Sequence, residues 1–295
     1  MSYAQQFRAF ARRHGVSDDA ITRILWSVQP GVEVGLCDPE GIGPESQVIG
    51  YCGGLPRLPA DTPWPMGDTF IAALDLAAIP PQPMDLALPR QGHLLFFGDP
   101  YPEHDCPAEV IHVPAGTPTA ERPAPVDEEW PSVEAEVLPR QVITLDRVNR
   151  WDILGWTPEP DNDDVDDDEK EWLARLMAAI EEYGARVGEV PTVQRRTWGL
   201  RGEALNPNPY AADYRAGFLR RGEEAVTILR AEPERFDELH GQALEAAALG
   251  DGVWLNLLEF HQDEISPGDG EMGWIIRRDD LHAGRFDRVR QSQHS

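Results

Sequence analysis

The residues of this 295-residue chain with the clearest capacity for chemistry lie in two places. PEHDCPAEVIH (102–112) holds His104, Cys106 and His112, side-chain types that bind zinc, with Cys52 a distant fourth. Their spacing matches no strong zinc pattern, so ordinary loop and strand residues are expected and no metal is assigned. The second place is a set of acids near strand ends: Asp99, Glu259, Asp263, Glu264 and Asp269, with His261 the best-placed histidine. Paired acids perform general acid/base chemistry where burial separates their pKa values. In a chain with 52 acids, however, chance proximity is the default, and no catalytic residue is assigned.

Other signatures fail on inspection. There is no GxSxG and no HExxH. GDGEMG (268–273) spells GxGxxG, but Pro267 precedes it, β-textured WIIRR follows it, and Asp269 and Glu271 would repel a phosphate. Asp164, Asp166 and Asp168 alternate like an EF-hand loop. Glu169 stands where that loop needs glycine, and Arg175 where it needs a bidentate glutamate. The one lysine, Lys170, sits among carboxylates that favour its charged form, which argues against a Schiff-base or P-loop role. No cofactor is expected.

The net charge is −26, so phosphate backbones are repelled and nucleic acid is excluded as a partner. EPDNDDVDDDEKE (159–171) carries nine acids and one lysine, so most of the net charge lies elsewhere. Such a surface suits solubility and attracts basic proteins. Three cysteines at irregular spacing give no disulfide framework. The polar N-terminus and the lack of a long apolar run point to a cytoplasmic protein with no membrane segment.

The elements that must position these groups are legible in the periodicity. Residues 3–14 and Ser17 followed by DDAITRILWSV predict two helices, the second capped by Ser17. SQVIGYC, FIAALDL, HLLFFGD, AEVIHV, AEVLPRQVITL, VWLNLLEF and GEMGWIIRR predict strands, and FIAALDL, with little polar alternation, one covered on both faces. Trp172, Leu173, Leu176, Met177, Ile180 and Tyr183 form a helical stripe ending near Gly184, and 211–249 reads as a helical region broken near Pro233. RDDLHAG reads as a turn.

GGLPRLPADTPWP (53–65) precedes FIAALDL and then GHLLFFGD; WGLRGEALNPNP precedes WLNLLEF and then GWIIRRDD. The pattern suggests an internal repeat whose second copy carries a helical insertion. Gly53, Gly54 and Pro56, and likewise Gly268 and Gly270, are then structural turns that fix where strands enter a shared core. Trp64, Phe97, Trp254 and Trp274 are candidates to line a groove between the copies or to pack its core.

These residues resemble the YwqG-like family of uncharacterised bacterial proteins. The likeness rests on Gly53, Gly54, Pro56 and Pro59 followed by Trp64 and Pro65, on Phe70 to Leu76, and on Gly92 to Phe97. It continues in Trp254 to Phe260, Gly268 to Gly270, Gly273 to Ile276 and Asp279 to Leu281. The family's strand amide falls on Ala73 and Leu257 here. The resemblance implies an α+β fold dominated by antiparallel strands. It brings no activity, and some relatives resemble components of toxin–immunity neighbourhoods.

The expectation is therefore α+β, with two related, mainly antiparallel β units packed together, N-terminal helices and a helical insertion in the second unit. The segments are a helical 1–29, a β-rich 30–157, an acidic linker or helix entry 158–170, and a helix plus second β-rich unit at 171–295. The expected function is non-enzymatic binding through an acidic surface, with a basic protein as partner. Trp64, Asp99, Glu259, His261, Asp269 and Trp274 are the binding candidates. The alternative is a small-molecule-binding protein or hydrolase with an acidic cleft where the β units meet.

Overall fold

The computed structural model describes residues 3–65, 69–79, 88–99, 108–125, 138–153, 167–187, 203–204, 212–247, 253–261 and 271–294. In chain order these form α1 (Tyr3–Arg13), α2 (Asp18–Ser27), β1 (Val28–Cys37), β2 (Gln47–Cys52), β3 (Arg57–Leu58), β4 (Thr69–Asp75), β5 (His93–Gly98) and β6 (Glu109–Val113). Next come β7 (Ala120–Glu121), β8 (Gln141–Ile153), α3 (Asp167–Val187), β9 (Glu203–Ala204), α4 (Ala212–Leu229), α5 (Phe236–Ala247), β10 (Trp254–His261), β11 (Glu271–Arg277), α6 (Arg278–His282) and β12 (Arg290–His294). The fold is α+β, with N-terminal helices and antiparallel sheets. The chain divides into two compact units: 1–31, 151–195 and 202–254 form one, and 32–150, 196–201 and 255–295 the other.

The first unit is helical. The N-terminal helices and those between 167 and 247 share one core, in which Phe7, Ile21, Ile24 and Trp26 pack with Trp172, Leu176, Ile180, Phe218 and Phe236. Ser17 caps α2 by accepting from the Ala20 N–H at 3.2 Å. In α3 the predicted stripe buries Trp172, Leu176, Ile180 and Tyr183, whereas Met177 faces outward, and the helix runs through Gly184 to Val187. Tyr183 and Val187, on either side of that glycine, both pack into the core, and this packing outweighs glycine's weak helical preference. The end of the acidic tract, from Asp167, is the entry to α3. The break near Pro233 is a 3-10 turn at Pro233–Arg235.

The second unit contains two larger sheets packed face to face and a two-stranded sheet of β3 and β7. One has the order β1-β8-β2-β4-β5-β6; in the other, β11 lies between β10 and β12. Between them lies a single apolar core. Ile49, Ile71, Leu74, Leu94 and Phe96 meet Leu257, Leu258, Phe260, Met272, Trp274 and Ile276. Across the other face of the larger sheet, Phe70, Ala73, Leu95, Phe97 and Val113 pack with Leu58 and Trp64. β4 is thus covered on both faces, as its uninterrupted apolar run predicts. RDDLHAG, expected as a turn, is the five-residue helix α6 followed by a turn at Gly284.

The 53–65 stretch supplies that outer cover, and its glycines make the corner. Gly53 and Gly54 adopt φ of +66° and +70°, a region costly for side-chain-bearing residues. Their N–H groups donate to Ile71 O and Leu138 O, both at 2.8 Å. A Cβ on Gly53 would lie 2.1 Å from Pro139 O. Gly53→Ala is therefore expected to cost at least about 1–3 kcal/mol, a clear fall in thermal midpoint by calorimetry. An unchanged midpoint would refute the assignment. Gly268 and Gly270 lie outside the described residues.

Candidate functional site

β10 reads apolar almost throughout, yet Asn256 and Glu259 sit within it and both are more than 90% buried. Side chains alternate along a strand, so residues three apart normally face opposite ways. Here Leu255, Leu257, Leu258 and Phe260 all enter the shared core, so the alternation slips at the adjacent pair Leu257 and Leu258. That slip puts Asn256 and Glu259 on one face, where the Asn256 Nδ2 donates to Glu259 Oε2. The neighbouring strand agrees. Met272 and Trp274 enter the core, while the direction a Cβ would take at Gly273 leads to Glu259 Oε2, 3.6 Å away. Ser292, opposite Gly273 in β12 and also buried, brings its Oγ to 2.9 Å from the same point. Asn256, Glu259, Gly273 and Ser292 thus form a polar niche on the face turned away from the apolar core.

The hydrogen-bond pattern in the niche is uneven. With its amide nitrogen on the carboxylate, Asn256 directs Oδ1 elsewhere, and that buried oxygen has no partner. Flipping the amide would set Oδ1 against the carboxylate, so the orientation is fixed by charge. An unsatisfied buried acceptor costs about 1–3 kcal/mol.

The other expected site residues lie apart from this niche. Trp274 is fully buried, donates from Nε1 to Phe97 O at 2.9 Å, and meets the Phe96 and Phe260 rings at 5.4 and 6.4 Å. Trp64 stands edge-on to Phe97 at 5.4 Å, over the outer face of the larger sheet. The Asp99 backbone is held by Gln291, whose Oε1 accepts from Asp99 N at 3.3 Å and whose Nε2 donates to Asp99 O at 3.0 Å. Gln291 and Ser292 are consecutive in β12 and point to opposite faces. Asp99 therefore lies on one side of that sheet and Glu259 on the other. The space between the sheets, where the alternative reading set an acidic cleft, is filled by apolar side chains. His261 ends β10; Asp263, Glu264 and Asp269 lie outside the described residues.

His112, alone of the three zinc-type residues in the described part, lies 5.5 Å from the Phe286 ring. No group of three potential metal ligands occurs among the described residues. No helix among them is long and apolar enough to cross a membrane.

The chain belongs to the DUF1963 family, a domain of unknown function, whose family model matches residues 51–293. A comparison with curated proteins finds no match. The resemblance drawn from the sequence placed the strand amide at Leu257. The amide present is Asn256, one position earlier and beside Glu259. The only signal for it was a lone asparagine in an apolar strand.

Two chemical expectations follow. Trp274→Phe keeps the bulk but orphans the buried Phe97 carbonyl, and should destabilise by about 1–3 kcal/mol in denaturant titrations. No loss would show that the bond contributes nothing. Burial pushes the Cys52 thiol up to about 12 from its ordinary 9.0. Because the folded value is the higher one, this contribution is intact below about pH 9 and is lost as pH rises towards 12. Cys52 should resist alkylation in the native protein at pH 8 and react only on unfolding. Rapid native labelling of Cys52 would contradict its placement.

Proposed function

We propose that this chain is a non-catalytic binding protein whose acidic surface recognises a positively charged partner. The distribution of charge carries the reading. The chain has 26 basic against 52 acidic residues, and arginines of the helical unit are engaged with its own carboxylates. Arg23 and Arg175 share Glu223 at 2.9 and 2.7 Å. Arg230 pairs with Asp19, and Arg235 stands between Glu232 and Glu238 at 3.0 and 3.1 Å. Burial disfavours the charged form of Glu223, yet Arg23 and Arg175 outweigh it and hold the carboxyl below its usual value. Basic groups consumed in this way leave the acidic excess to set the outward field.

The resemblance to the YwqG-like family, some of whose members resemble components of toxin–immunity neighbourhoods, favours a basic protein such as a toxin domain as the partner, met in the cytoplasm. The separation of Asp99 from Glu259 across one sheet favours binding over acid–base catalysis, because those two acids do not form a pair.

Association with such a partner should be fast at low ionic strength and weaken as salt screens it, the Debye length falling from about 10 Å at 0.1 M to about 3 Å at 1 M. A pull-down from the native host at low salt, followed by binding measurements across a salt series, tests this. Recovery of a basic protein with salt-sensitive affinity is the expected result. Failure to recover one, or affinity indifferent to salt, would overturn the proposal.

A further inference from the structure

We propose that α1 is a releasable strap: it undocks from the helical unit without unfolding the rest, and the buried Arg8 on its inner face keeps its hold weak. The inference stands apart from the acidic-surface reading, since it rests on one helix and the core beneath it.

The pattern of α1 shows the weakness first. Ala4, Phe7, Arg8 and Ala11 recur at i, i+3, i+4 and i+7, the stripe that a helix turns to its core. Arg8 holds a place in that stripe where an apolar side chain is the rule, and it is only 6% exposed. Two of the other three are alanines, so Phe7, stacked on Tyr183 at 5.2 Å, is the one large apolar group of the stripe. Its neighbour α2 buries Ile21, Ile24, Leu25 and Trp26. α1 is held by far less apolar surface.

Arg8 is also poorly compensated. Its Nη1 donates to Thr22 Oγ1 at 3.3 Å, its guanidinium lies 5.6 Å from the centre of the Phe236 ring, and its buried Nη2 has no partner. Burial, with Arg12 adding to it, pulls the guanidinium below its ordinary pKa against the weaker influence of Asp18 and Asp237. Neither of those carboxylates bonds to it, and Asp18 is bonded to Arg12 at 2.6 Å. A buried cation without a bonded carboxylate opposes docking, and undocking returns it to water. The face of Phe236 offsets part of that cost.

The connections of α1 permit release. The Arg12–Asp18 pair joins it to α2, but both side chains are nearly half exposed, and such pairs contribute little. The chain then turns at Gly15, with φ of +76°. Beyond the turn, the Ser17 N–H and hydroxyl donate to Glu182 of α3 at 2.9 and 3.0 Å. The start of α2 therefore stays anchored when α1 leaves. Eleven residues are too few to hold a stable helix alone in water, so α1 unwinds on release and its amides exchange. Release uncovers Tyr183 and the face of Phe236, turning part of the helical core into surface.

The test is native-state hydrogen exchange by NMR across a series of low denaturant concentrations, on the full chain and on Arg8→Met. Methionine keeps an unbranched apolar stem and removes the charge. In the unaltered chain the α1 amides should exchange through an opening that responds weakly to denaturant. The amides of α2 and α3 should wait for a larger opening with a steeper response. In Arg8→Met the protection of α1 should rise at least about tenfold, because the charge no longer opposes docking. Exchange of α1 in step with α2 and α3 at every denaturant concentration would overturn the proposal. So would an Arg8→Met variant whose α1 protection is unchanged or lower, since plain fraying of a chain end does not depend on that charge. Should the variant fail to fold, Arg8 is needed for docking rather than opposed to it, and the proposal falls.

Discussion

The β unit depends on one constraint: two sheets must bury a single apolar layer between them, and neither has another way to cover that face. Trp274 is where the constraint is tightest. Its ring lies among Phe96 and Phe260, and its indole N–H reaches the Phe97 carbonyl of the opposite sheet. A large aromatic group with one polar atom can sit at the centre of a core only if that atom finds an acceptor there. Once β5 and β11 are fixed against each other in this way, the remaining order follows. β4 lies beside β5, its outer face requires the 53–65 cover, and the far face of the smaller sheet is left for Asn256 and Glu259.

Much of this was legible in the sequence. The strands are short apolar runs bounded by glycine and proline, and β4 announces its two-sided burial by having no polar alternation. The paired glycines at 53 and 54 required a corner, and the corner ties the end of β2 to β4 and to the approach to β8. Helix ends were less legible. Gly184 carries a stop signal, but Tyr183 and Val187 gain more from the core than the glycine loses by staying helical. Such tertiary effects leave no local mark.

The candidate site was half legible. Glu259 stood out as an acid in an apolar strand, and Trp274 as an aromatic group near it. Asn256 did not, because a strict two-residue period places it on the opposite face from Glu259. Only the slip at Leu257 and Leu258 brings the two together, and two adjacent leucines in a strand carry no sign of which will bulge. The same limit separates Asp99 from Glu259. Both lie near strand ends, but the sequence does not say on which side of a sheet each will stand.

The central claim is that the two sheets form one cooperative sandwich joined through Trp274. Native-state hydrogen exchange at the Trp274 indole Nε1–H, resolved by NMR, tests it most directly. A group sealed between sheets exchanges only when the sandwich opens. Its protection should therefore match the most protected backbone amides of β4 and β5, and fall in step with theirs as denaturant is added. Exchange at the rate of an exposed indole, or by an opening that leaves β4 and β5 protected, would contradict the account.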